Sequence, residues 1–200
     1  MNDLQNQLEL ISPSEYLARE LKSTVKHEYV GGVVYAMSGA RNRHNLIATN
    51  IIGVLFGLLR GHRCRVYNSD TKVRIQLPTH SRFYYPDAQV VCQGNPESDV
   101  YQDSPSLVVE VLSTSTRRVD SGEKREGYLT IPSLGLYLMV EQEQPIVVAY
   151  RRTEEGFVRE IFEGREAVIP IPELKLALPL AEIYGRVEFG PDPEDVEEEG

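Results

Sequence analysis

Tryptophan is absent from this chain, cysteine occurs twice, and no apolar run is longer than the nine residues Ile51–Leu59. That run falls far short of the roughly 20 residues a membrane-spanning helix needs, so no helical span is expected. Cys64 and Cys92 lie in strand-like runs with no zinc-type spacing around them. They read as buried thiols of a reduced, cytoplasmic protein, and a structural zinc site is not expected. Met1–Leu10 is polar and acidic, unlike a signal peptide. There is no internal repeat. There is also no basic excess: the net charge is −9. Seven of the acids lie between Glu188 and Glu199, which leaves 23 acidic and 21 basic side chains, a net of −2, in the first 186 residues. A nearly neutral body attracts a polyanion only weakly, but it permits a local basic surface.

Two hundred residues with 41% hydrophobic content suit one core. Residues 1–186 read as one domain, and 187–200 as an acidic, disordered tail poor in apolar residues. Ser12-Pro13-Ser14-Glu15 has the form of a capping box with proline at the first helical position, which predicts a helix to about Lys22. Val25–Val30 and Val33–Met37 flank Gly31-Gly32 as a hairpin. Leu46, Ile47, Ile51, Val54, Leu55 and Leu58 recur at helical spacing within Arg41–Arg60.

Strands are predicted at Arg63–Asn68, Lys72–Leu77, Tyr84–Cys92 and Ser106–Leu112, with a loop over Gly94–Ser104. A helix over Arg117–Thr130, capped by Ser115 or Thr116, ends at Ile131-Pro132. Strands at Leu136–Val140, Ile146–Arg152 and Phe157–Ile161 and a short helix at Pro179–Tyr184 complete the chain. This order predicts an α/β (α+β) fold, a mixed sheet flanked by helices with an N-terminal helix and hairpin.

Two carboxylates stand out because each is set into a strand-like apolar stretch: Asp87 in Tyr84–Cys92 and Glu110 in Leu107–Leu112. Removing a carboxylate from water costs several kcal/mol unless something compensates, and a cation is one compensation. Neighbouring strands joined by the intervening loop would bring the two acids together. Close carboxylates repel, so either one is protonated or a cation lies between them, and deleting Asp87 would be expected to raise metal-free stability. Hard oxygen ligands favour Mg²⁺, Mn²⁺ or Ca²⁺ over Zn²⁺.

Lys124, on the next predicted helix, is placed to stabilise charge on an attacked phosphate. Its plain alternative is a surface lysine paired with Asp120. Glu28, in a strand-like run, and His44, in the first turn of the long helix, are secondary candidates for the same cleft. Arg41, Arg43, Arg60, Arg63, Arg65, Lys72 and Arg74 cluster in sequence. Some of these could track a phosphate backbone, and the rest would line a solvated face. Asp70 and Lys72 read as turn and strand-surface charges.

The stretch Tyr85-Pro86-Asp87, then Pro105 through Thr116 around Glu110, then Asp120, Lys124 and Tyr128, resembles the Uma-type family of restriction endonucleases, long catalogued as a domain of unknown function within the PD-(D/E)XK nuclease superfamily. Glu28-Tyr29-Val30-Gly31-Gly32, His44, Pro132-Ser133-Leu134 and Tyr137–Val140 fit the same family, and the resemblance spans Ser12 to Tyr184. It implies a restriction-endonuclease-like fold with a four-stranded mixed sheet core, and a homodimer as the assembly. It also implies a Mg²⁺ or Mn²⁺ ion held by Asp87, Glu110 and the Val111 carbonyl, with DNA as substrate.

Leu112 stands where the superfamily pattern has lysine, and the resemblance makes Lys124 its replacement from the following helix. The expected activity is metal-dependent hydrolysis of DNA phosphodiester bonds. The competing expectation is a nuclease fold kept as a binding or assembly module with weak or no catalysis.

Overall fold

The computed structural model describes residues 10–113 and 120–190. The chain opens with α1 (Pro13–Glu20), whose N-cap Ser12 accepts the Glu15 N–H at 3.2 Å. The hairpin β1 (His27–Val30) and β2 (Val33–Ala36) turns through Gly31 and Gly32, whose φ values of +56° and +107° favour glycine. Then come α2 (Asn42–Leu58), β3 (Arg65–Asn68), β4 (Lys72–Gln76), β5 (Ser81–Tyr84), β6 (Ala88–Val91), β7 (Tyr101–Gln102) and β8 (Pro105–Val111). A π-helical turn, Asp120–Lys124, runs into α3 (Arg125–Leu129). The chain continues through β9 (Leu136–Val140), β10 (Ile146–Thr153), β11 (Gly156–Glu163), β12 (Val168–Ile171), β13 (Leu176–Pro179) and α4 (Leu180–Ile183).

Among the described residues, a six-stranded mixed sheet has the order β11-β10-β9-β8-β6-β3, with β8 and β9 parallel and the other neighbours antiparallel. A second sheet has the order β2-β1-β5-β4-β7, and β12 and β13 form a ribbon. Side chains alternate across β8. Leu107, Val109 and Val111 join Ile47, Ile51 and Leu55 of α2 and Leu180 and Ile183 of α4 in one core. Val108 and Leu112 face the other way, toward Val73, Ile75 and Tyr84 of the second sheet and Tyr128 of α3. Each fully buried aliphatic side chain contributes about 1.5–3 kcal/mol, so both faces of the central sheet are firmly covered. Alternation assigns Glu110 to the second face, which is why a strand carboxylate ends only 3% exposed.

The structure departs from the sequence expectations at several places. The single strand expected over Tyr84–Cys92 is two strands in different sheets, β5 and β6. Tyr85-Pro86-Asp87 is the crossing between them: proline has no N–H for a ladder and restricts the residue before it, so the run breaks there. Of the helix expected over Arg117–Thr130, the described part is the π-helical turn Asp120–Lys124 followed by α3, while Arg117 and the proposed caps Ser115 and Thr116 lie outside the described residues. The resemblance implied four strands in the core sheet, where six form; β12 and β13 were not anticipated.

Cys64 and Cys92, expected as free thiols, are joined in a disulfide. The β3–β6 register, with Arg65 opposite Val91, places them directly across from each other with Cα atoms 3.9 Å apart, a pairing that strand periodicity does not reveal. Lys72, read as a surface charge, is buried at 4% exposure. Val187 is in the core and Phe189 packs on Tyr184, so the folded body continues past the boundary expected at 187, while 191–200 lie outside the described residues. Among the described residues, no helix is long and apolar enough to cross a membrane.

Candidate active site

A cavity of about 520 Å³ opens between the loop before α2 and the ends of β6 and β8, and Asp87, Glu110, Val111, Lys124 and His44 all line it. β6 and β8 are antiparallel with Ala88 opposite Val109, so one further step brings Asp87 alongside Glu110. Asp87 Oδ2 accepts the Val111 N–H at 2.7 Å and lies 3.3 Å from His44 Nε2. Burial disfavours the charged imidazole of His44, but the hydrogen bond and charge of Asp87 outweigh it and its pKa ends above the ordinary value. Among the described residues, His44 Nδ1 is buried without a hydrogen-bond partner.

The second acid is held from α3. Lys124 Nζ lies 3.8 Å from Glu110 Oε1 and only 2.8 Å from Glu28 Oε1, and Tyr128 donates its hydroxyl to Glu110 Oε1 at 3.0 Å. Lys124 and Tyr128 are four residues apart, so one helical face presents both to the same carboxylate oxygen. Lys124 is 6% exposed, not the surface lysine of the plainer alternative. Burial first, and then the Glu110 charge, push the Tyr128 pKa well up, which keeps its hydroxyl a donor. Glu28 sits on β1 next to the cavity: besides holding Lys124, it accepts the Tyr85 N–H at 3.3 Å.

The crossing that carries Asp87 is anchored on its other side. Tyr85 donates its hydroxyl to Glu20 at 2.8 Å, and the ammonium of Lys72 lies 4.8 Å from the centre of its ring. Burial lowers the Lys72 pKa, and the Glu20 charge offsets part of that shift. Tyr84 and Tyr85 are buried packing residues.

Asp87, Glu110, Lys124, Glu28 and His44 therefore form one contiguous constellation. Sequence reasoning did not give Tyr128 a role; the signal available was its spacing of four from Lys124 on a helix. Lys26, which also lines the cavity, was not singled out either.

Among the described residues, no three His, Cys, Asp or Glu side chains form a closed metal cage. The donors that are present still suit a hard cation, because Mg²⁺ is commonly bound through one or two carboxylates with water and substrate phosphate completing its shell. Asp87 and Glu110, with the Val111 carbonyl, would make such a set, whose chemistry fits Mg²⁺ or Mn²⁺ and does not fit Zn²⁺.

Comparison with known proteins places this chain in a family. Residues 13–181 match the Uma2 family, described as "Putative restriction endonuclease". The uncharacterized protein slr1290 of Synechocystis sp. is 35% identical over 147 residues, 73% of this chain and 76% of that protein. The uncharacterized protein sll1609 of the same organism is 32% identical over 136 residues, 66% of this chain and 76% of that protein. A crystal structure from Anabaena variabilis, described as "a putative nuclease belonging to DUF820", superimposes with a TM-score of 0.68 at 17% identity, covering 89% of this chain and 99% of that one. At that identity the likeness carries the fold, a mixed sheet architecture shared with this nuclease-like neighbour.

Proposed function

This chain belongs to the Uma2 restriction-endonuclease family, and from that premise we propose that it is a divalent-metal-dependent endonuclease hydrolysing DNA phosphodiester bonds. The observation that carries the reading is the convergence of Asp87, Glu110 and Lys124 on one cavity, from the crossing into β6, from β8 and from the turn that opens α3. Asp87, Glu110 and the Val111 carbonyl would hold Mg²⁺ or Mn²⁺, which supplies an activated water and Lewis-acid stabilisation of the phosphate when bound. Lys124 presents a buried ammonium to the charge that develops on the phosphate. Glu28 holds that ammonium in place, and Tyr128 fixes the orientation of Glu110. His44 steadies Asp87 from the first turn of α2.

The test is a titration of Mg²⁺ and Mn²⁺ with supercoiled plasmid and with single-stranded DNA. Cutting that requires the divalent ion is the expected result, and intact DNA at every ion concentration would overturn the reading. The second reading, a nuclease fold used for binding alone, draws support from Lys124 lying closer to Glu28 than to Glu110, and the same titration decides it. Pairing of two chains to cut both strands belongs to the first reading. Light scattering at micromolar concentration should report a dimer, and a monomer alone would contradict that part.

Tyr128→Phe keeps the buried ring and removes only the hydroxyl that donates to Glu110. A hydrogen bond to a charged group is worth about 1.5–3 kcal/mol, and urea melts should show a loss of that order together with weaker Mn²⁺ binding. Unchanged Mn²⁺ affinity would show that Tyr128 packs and does not orient Glu110.

A further inference from the structure

Arg41, Arg43, Arg60, Arg65, Lys72 and Arg74, which cluster in sequence, part company in space. Arg74 is engaged by Asp103 through two bonds of 2.7 and 2.8 Å and stacks on Tyr101. Lys72 is buried beneath Tyr85. Arg60 and Arg65 line a second cavity that also holds Asp70, Glu97 and Asp99, and Arg65 pairs with Glu97 at 3.4 Å. Acids outnumber bases there, so it offers a polyanion little. Arg41 and Arg43 instead line the cavity of Asp87 and Glu110, where Lys26 joins them.

The surroundings of Arg43 and Lys26 favour phosphate. α2 has no acid in its first turn. Arg43 donates to a neutral carbonyl, that of Gly190, at 3.3 Å. Lys26 pairs with Asp70 at 2.6 Å, but Asp70 is 70% exposed, and an exposed ion pair of this kind contributes at most about 1 kcal/mol, so a phosphate can replace it.

We propose that Lys26, Arg41 and Arg43 seat the phosphates flanking the scissile one, so that the DNA backbone passes over the loop before α2 to reach Asp87 and Glu110. The proposal rests on the nuclease reading and deepens it. Recognition through this seat is by backbone charge, independent of base sequence.

The experiment measures binding of the full chain to a fluorescein-labelled DNA duplex by anisotropy, in EDTA so that nothing is cut, across a NaCl series. Each lost phosphate contact on duplex DNA should flatten the slope of log K against log salt by about 0.9. Arg41→Ala with Arg43→Ala should therefore flatten it by close to two such steps. Arg41→Lys with Arg43→Lys should keep the slope, because charge is what the seat supplies. Arg60→Ala with Arg65→Ala should also keep it.

A wild-type slope in the Arg41/Arg43 alanine variant, or a loss carried by Arg60 and Arg65, overturns the proposal. So does a failure of the wild-type chain to bind at any salt concentration. The two readings fail separately. Binding with an Arg41- and Arg43-dependent slope but no cutting in Mg²⁺ or Mn²⁺ sinks the nuclease and leaves the seat standing. Metal-dependent cutting with an unaltered slope sinks the seat alone.

Discussion

Asp87→Ala should abolish DNA cleavage and divalent-ion binding, and it should also lower the melting temperature of the metal-free protein. The first two effects follow from deleting a proposed ligand. The third reverses what the sequence suggested. Two bare carboxylates side by side would repel, and removing one would relieve strain. In the structure neither acid is bare: Glu110 is compensated by Lys124 and Tyr128, so little repulsion remains to be relieved.

Asp87, in turn, accepts the Val111 N–H at 2.7 Å and sits against His44. Alanine leaves that backbone donor and the imidazole without their partner. Leaving a buried donor unsatisfied costs about 1–3 kcal/mol, which outweighs the relief. Asp87→Asn separates the two effects. The amide oxygen can still accept from Val111, so stability should largely return, while ion binding should not. Calorimetry with Mn²⁺ and thermal melts in EDTA read both quantities. Metal binding retained in Asp87→Asn would remove Asp87 from the ligand set.

How much of this was legible beforehand differs between fold and site. α2 was readable because Ile47, Ile51 and Leu55 keep helical spacing over about two turns. The β1–β2 hairpin was readable because Gly31-Gly32 demands its turn. β8 was readable because Val108, Val109 and Val111 crowd one short run. Asp87 and Glu110 could be picked out as carboxylates in apolar company, and the cavity does bring them together.

What escaped depended on register and on contacts between elements. The break at Pro86 could have been suspected locally, but not that it moves the chain from one sheet to another. The apposition of Cys64 and Cys92 is a consequence of β3–β6 register. The burial of Lys72 arises because β4 lies under Tyr85. Lys124 was singled out from its helix and from the resemblance, but its Glu28 partner sits 96 positions earlier in the chain, a distance over which no local pattern speaks.

That partner changes what is expected of Lys124→Ala. Turnover should fall by about 10²–10³-fold, the usual consequence of losing one electrostatic contact worth roughly 2.7–4 kcal/mol to the transition state. Folding is not spared, however. Lys124 is 6% exposed and stands between Glu28 Oε1 at 2.8 Å and Glu110 Oε1 at 3.8 Å. Removing one member of a buried ion pair is worth about 3–5 kcal/mol of stability, because the opposite charge stays behind. A fall in activity alone would therefore not distinguish a lost catalytic contact from a loosened fold.

The double variant Lys124→Gln with Glu28→Gln resolves this. It removes both charges, leaves neutral hydrogen-bonding groups of similar reach, and should recover much of the lost stability. If Lys124 acts on the phosphate, the double variant melts near the wild-type temperature and still turns over at least tenfold more slowly, with Mn²⁺ affinity nearly unchanged. Recovery of full turnover along with stability would make Lys124 only a counter-charge for Glu28, and the cation that meets the phosphate would then have to be sought on the rim, at Arg41, Arg43 or Lys26.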